Sequence, residues 1–109
     1  MYVAIRRYGL LTNEPVDKVM QGIREGFIPI IKRAPGFLAY YTLDSGGGTL
    51  TSVSIFEHRA GAERSNKLAE DWVGRALPSA LPTSPEIIVG EVGAHELNLT
   101  KLGLRQVLG

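Results

Sequence analysis

Two histidines, one tryptophan and an arginine inside an apolar strand are the residues here best suited to chemistry. His58 stands between a strand-like run and a helix-like run. It is placed there to accept a proton or to touch a ligand at a pocket mouth. Its plainer role is a polar residue that starts the helix or faces water. His95 lies far along the chain in the last strand-like run, where an edge or interface role suffices. Two separated histidines without a third ligand beside them do not make a metal site, so none is expected. Trp72, the single tryptophan, falls on the apolar stripe of a helix. There it is core by default, and as a pocket wall it would pack against a planar molecule. Arg6 alternates with Val3 and Ile5 along a strand. It is an interior polar group or a salt-bridge partner at an interface.

The bulk composition narrows the classes. At 109 residues the chain is one domain, with a core but not an ample one. Net charge is +1, from 12 basic and 11 acidic residues, and the basic ones are dispersed. Nothing in that balance favours nucleic acid or an anionic membrane. Cysteine is absent, which removes disulfides, thiolate chemistry and cysteine-bound metals. The first 20 residues contain Arg6, Arg7, Glu14 and Asp17, so no signal peptide is expected and the expected location is cytoplasmic.

The elements that must position these residues follow from periodicity. Tyr2–Tyr8 alternates, with Tyr2, Ala4, Arg6 and Tyr8 on one face. Thr12 or Asn13 can cap a helix that Pro15 opens. Val16, Val19, Met20, Ile23, Phe27, Ile30 and Ile31 form its apolar stripe, and Pro29 should bend it or convert its last turn. Phe37–Leu43 and Thr49–Phe56 read as a hairpin. Phe37, Ala39, Tyr41 and Leu43 share one face of the first strand, and Leu38, Tyr40 and Thr42 the other. Leu50, Ser52, Ser54 and Phe56 share one face of the second. The glycines at 46–48 suit a positive-φ turn slightly longer than the tightest kind. They lie between two strands, so they are not a phosphate cradle. A second helix is expected over Ala60–Leu77, with Lys67 and Asp71 paired on its wet side. A proline-bearing connector follows over Pro78–Pro85. A last strand is expected over Glu86–Leu97, with Gly90 and Gly93 marking a bulge or a close backbone approach.

The order strand, helix, strand, strand, helix, strand predicts an α+β, ferredoxin-like fold. It has a four-stranded antiparallel sheet with both helices on one face. The other face then exposes bulky apolar side chains, which asks for a second copy of the chain or encloses a small-molecule cavity. The domain is expected over residues 1–97. Residues 98–109, with leucines at 99, 102, 104 and 108, are either a segment docking on the partner or a frayed tail.

With this order, the chain resembles the dimeric α/β-barrel superfamily, and within it is similar to antibiotic-biosynthesis monooxygenases. The residues carrying the resemblance are the Ala34–Pro35–Gly36–Phe37 junction, the Ser54–Ile55–Phe56–Glu57 strand end, and Trp72 in the helix that follows. It covers roughly residues 2–97. The resemblance implies a homodimer with sheets face to face, and a ligand pocket between each sheet and its helices. Haem-degrading relatives combine a strand-one asparagine, a helix-two tryptophan and a nearby histidine; only Trp72 is matched here, which argues against haem breakdown. Quinol-oxidising relatives use an asparagine, a tryptophan and an arginine or tyrosine to steady a substrate anion. The resemblance therefore implies Trp72 and Asn66 as catalytic candidates, beside His58 from its own position, and Arg6, Tyr40 and Tyr41 as substrate-binding candidates, with no cofactor. The expected function is a cofactor-independent monooxygenase acting on a small aromatic or polyketide-like molecule. The alternative is a non-catalytic small-ligand-binding or structural homodimer.

Overall fold

A computed structural model describes residues 1–11 and 14–103. Four strands form one antiparallel sheet in the order β2-β3-β1-β4, where β1 is Tyr2–Gly9, β2 Phe37–Gly46, β3 Thr49–Phe56 and β4 Glu86–Glu91. The helical segments are α1 (Val16–Gly22), a π-helical stretch (Ile23–Phe27), α2 (Ile28–Ile31) and α3 (Arg59–Ala76). The expected ferredoxin-like α+β architecture is the one found. No helix among the described residues is long and apolar enough to cross a membrane.

Register across the sheet separates its faces. One row runs Thr42–Ser52–Arg6–Ile87, and the next runs Tyr40–Ser54–Ala4–Val89. These rows lie under the helices, where Ala4, Arg6, Ser52 and Ser54 are buried. The alternate row Tyr41–Val53–Ile5–Ile88 lies on the opposite face. Phe27, Ile31, Leu50 and Phe56 are essentially inaccessible and anchor the core. Each such side chain contributes about 1.5–3 kcal/mol by leaving water.

Several local expectations are corrected. Phe37 does not share a face with Tyr41 and Leu43. A bulge at Leu38, between the pairs Phe37↔Phe56 and Ala39↔Ile55, flips the alternation. Phe37 therefore packs edge-on against Phe56, at 5.8 Å between ring centres. The hairpin is tighter than expected: Gly46 pairs with Thr49, leaving Gly47 and Gly48 as the loop at φ 59° and 76°. That is the positive-φ pair a two-residue hairpin wants. The irregularity in the first helix precedes Pro29 instead of following it. The Ile28 amide reaches Ile23 O, five residues back. Pro29 has no N–H to complete an α turn there. The helix starts from Pro15 with no side-chain cap, and the proposed caps Thr12 and Asn13 lie outside the described residues.

The last strand stops at Glu91, well before Leu97, and its final tie is the Val92 amide to Met1 O at 2.9 Å. No register shift interrupts β4. A Cβ at Gly90 or Gly93 would meet nothing within 4 Å, so neither glycine marks a bulge or a close approach within this chain. Of the tail, 98–103 forms turns, and residues 104–109, with Leu104 and Leu108, lie outside the described residues.

Candidate functional site

The site is built around Arg6, at the middle of β1 in the interior of the sheet. Its side chain points under α3 because β1 alternates, and only 1 % of the residue is accessible. Its Nε donates to Ser52 Oγ at 3.0 Å, and its Nη1 donates to Ser65 Oγ at 3.0 Å and to Asn66 Oδ1 at 2.9 Å. Its Nη2 donates to Ser54 Oγ. Two of these serines come from β3, where they are cross-strand neighbours of Arg6 and Ala4. Ser65 and Asn66 come from α3. Ser65 spends its own proton on Ala62 O at 2.6 Å, which leaves its oxygen free to accept.

Every acceptor around Arg6 is neutral. Among the described residues no carboxylate pairs with it. Burying a cation costs several kcal/mol even after relaxation. Hydrogen bonds from a charged donor, about 1.5–3 kcal/mol each, offset that cost without cancelling the charge. Burial pulls the Arg6 pKa below its ordinary value, and the phenols of Tyr8 and Tyr40 oppose the shift. A guanidinium has so high an intrinsic pKa that it stays charged at neutral pH. Burial also pushes the phenols of Tyr8 and Tyr40 up, while the nearby Arg6 cation pulls both the other way. For Tyr40 the hydrogen bond from Thr42 Oγ1 is the larger opposing influence.

Beside this polar cluster lies an apolar cavity of about 20 Å³, with Tyr8, Phe27, Tyr40, Leu50, Ser52 and Trp72 among its walls. It has room for roughly one water. Its aromatic wall is tightly set: Phe27 meets Tyr40 at 5.3 Å and Trp72 at 5.7 Å between ring centres. The Trp72 indole lies on the π-helical stretch at Gly26, where a Cβ would come within 2.8 Å of the ring. Only glycine allows that approach. The cleft outside is larger, about 390 Å³, and Tyr8, Asn66 and Ile87 are among the residues that line it.

The structure thus gathers four of the residues singled out from the sequence: Arg6 and Asn66 by a hydrogen bond, Tyr40 and Trp72 around the adjoining cavity. It does not bring Tyr41 or His58 to them. Tyr41 is 55 % exposed on the opposite face of the sheet. His58 is exposed at the N-cap position of α3 and makes no side-chain cap. Sequence reasoning missed Ser52, Ser54 and Ser65, and it named Tyr8 only as a neighbour of Arg6 on one strand face. A signal for the serines existed, since 52 and 54 alternate with Leu50 and Phe56 on a face that must be covered. Small hydroxyls on such a face call for a buried donor. Among the described residues no group of three or more potential metal ligands occurs.

No family model matches the chain, and no curated protein matches it in sequence. Solved structures do match. A protein of unknown function from Nitrosomonas europaea superposes with a TM-score of 0.69 at 17% identity, over 89% of this chain and 93% of that one. A monooxygenase from Streptomyces coelicolor, solved with nanaomycin D, gives 0.65 at 18% identity, over 89% and 91% of the two chains. A cofactor-independent oxygenase from Streptomyces nogalater gives 0.62 at 12% identity, over 86% and 94%. The chain therefore has the fold of the antibiotic-biosynthesis monooxygenase-like proteins, as its sequence motifs implied. At these identities the likeness is one of fold.

Proposed function

We propose that this protein binds a small hydroxylated aromatic or polyketide-like molecule between sheet and helices and oxidises it with molecular oxygen, without a cofactor. The observation that carries the proposal is the buried Arg6 cation with neutral partners only. Such a charge suits an oxygen anion on a ligand. An ionised phenol or quinol placed there, with its rings against Trp72 and Phe27, is held as the electron-rich form that reacts with oxygen. In that reaction the substrate supplies all four electrons that reduce O2. One oxygen atom enters the ring as a quinone oxygen and the other leaves as water with the two protons lost. Asn66 orients Arg6 in this scheme, Tyr40 borders the ring, and the apolar walls keep water from the reactive anion. His58, exposed at the head of α3, and Tyr41, on the opposite face of the sheet, take part only if a second copy adds them to the site.

A homodimer belongs to the proposal. The face away from the helices carries Tyr41, Leu43 and Ile88 in exposed positions, beside Val3, Ile5, Val53 and Ile55. A second copy packed on that face would remove the patch from water. The tail after residue 97 is proposed to dock on that copy, and a cytoplasmic location accords with the absence of cysteine.

The second reading is a ligand-binding or structural dimer without catalysis; the small size of the cavity favours its structural form. Oxygen uptake with a panel of hydroquinols separates the two. Uptake above background that is lost in Arg6→Met and Trp72→Ala supports the oxygenase. Uptake at background with every member of the panel leaves only the second reading.

A further inference from the structure

Among the described residues, Tyr8 is the one common to the inner cavity and to three clefts outside it, of about 390, 160 and 270 Å³. It separates an interior too small for a ligand from outer spaces large enough to receive one, joined by Val73 and Leu81 only toward the cleft of about 160 Å³. The other aromatic walls are locked. Tyr40 and Trp72 each pack on Phe27, and the indole is seated on Gly26. Tyr8 has no aromatic partner among the described residues. On its outer side lie Ser84 and Pro85, in a connector without regular structure. A ring that swings toward that connector meets less resistance than one that must leave an aromatic stack.

We infer that Tyr8 is the gate of the interior: a planar hydroxylated ligand enters between α3 and the connector 82–85, displaces the Tyr8 ring, and places its oxygen on Arg6. Residue 8 then sets the width of ligand admitted, and a smaller side chain there admits broader fused rings. This rests on the reading of the interior as a ligand site. The competing door is at Leu77, which lines both the cavity and a separate cleft of about 200 Å³ beside α1.

The lone tryptophan makes the gate measurable without catalysis, because Trp72 faces the cavity. Quenching of its fluorescence by acrylamide, a small neutral probe, reports entry. The gate predicts a several-fold rise in the quenching constant for Tyr8→Ala, no change for Tyr8→Phe, which keeps the ring, and little change for Leu77→Ala. Far-UV circular dichroism certifies the fold, and Tyr8→Leu serves if Tyr8→Ala does not fold. A larger rise in Leu77→Ala than at position 8, or equal quenching in all folded variants, overturns the gate. Oxygen uptake on the same proteins keeps the two ideas apart. Quenching that follows residue 8 with no uptake retains the gate and removes the oxygenase, while uptake with unchanged quenching does the reverse.

Discussion

Along β1, Ala4, Arg6 and Tyr8 alternate with Val3, Ile5 and Arg7, and the two sets meet opposite circumstances. The first set is buried under the helices although it includes a full positive charge. In the second, Val3 and Ile5 are left half-buried and Arg7 exposed, and the row through Ile5 ends in exposed Tyr41 and Ile88. Hydrophobicity alone would reverse this arrangement. The difference teaches that a chain places a charge inside only where acceptors are built for it, here three serines and Asn66. A contiguous apolar patch left outside is the kind of surface that a partner covers. In the function proposed above, the first face is the site and the second the contact with another copy.

Substitutions on the two faces should therefore differ in kind as well as in size. The largest effect on stability is expected for Phe56→Ala, which empties a fully buried ring position. Denaturant titration should show a loss of about 3–5 kcal/mol. Next comes Arg6→Met. It removes a charge-stabilising donor and should lower the rate of hydroquinol oxidation by about 10²–10³-fold, read from initial oxygen-uptake rates. Gly26→Ala drives a methyl into the Trp72 indole. An overpacked core of this kind costs about 1–3 kcal/mol, and a shift in tryptophan emission should accompany it.

On the bare face, Ile88→Asp should barely change the folding of a single copy, because the residue is 65 % exposed. It should convert a dimer to monomer in sedimentation. If the native chain itself sediments as a monomer at micromolar concentration, the contrast between the faces fails. The smallest effect is expected for Arg59→Ala, whose partner Glu63 sits 3.0 Å away on the wet side of α3. Its loss should cost about 0.2–1 kcal/mol and less in high salt.

Acidity offers a further check on the covered face. Tyr8 and Tyr40 hold their protons more tightly folded than the ordinary phenol value of 10.0. The stability this implies is fully present below pH 10 and is lost as pH rises above it through the folded-state values. Denaturant midpoints should fall in that alkaline window, and less steeply in Tyr8→Phe or Tyr40→Phe. A midpoint that falls equally in those variants would place the titration elsewhere.

Much of the fold could be read from period alone. The alternation of Leu50, Ser52, Ser54 and Phe56, and the three-and-four spacing of Val16 to Ile31, reflect direct geometric needs of strands and helices. The features that escaped depend on contacts made at a distance. The bulge at Leu38 moves Phe37 to the core because Phe56 awaits it there. The π-helical stretch accompanies an indole from α3 resting on Gly26. Of the site, Arg6, Tyr40, Asn66 and Trp72 were legible as types, yet their assembly was not. Asn66 meets Arg6 across 60 residues of chain, and no local pattern encodes that pairing. His58 drew notice for its chemistry, but its position at the head of α3 turns it to solvent.

The most direct test of a cation held ready for a ligand's oxygen is a Trp72 fluorescence titration with a planar phenol and with its methyl ether, in the native protein and in Arg6→Met. The account expects the native protein to bind the phenol much more tightly than the ether. It also expects Arg6→Met to erase that preference while keeping its fold by circular dichroism. Equal affinity for phenol and ether in the native protein, or a preference that survives the loss of Arg6, would contradict it.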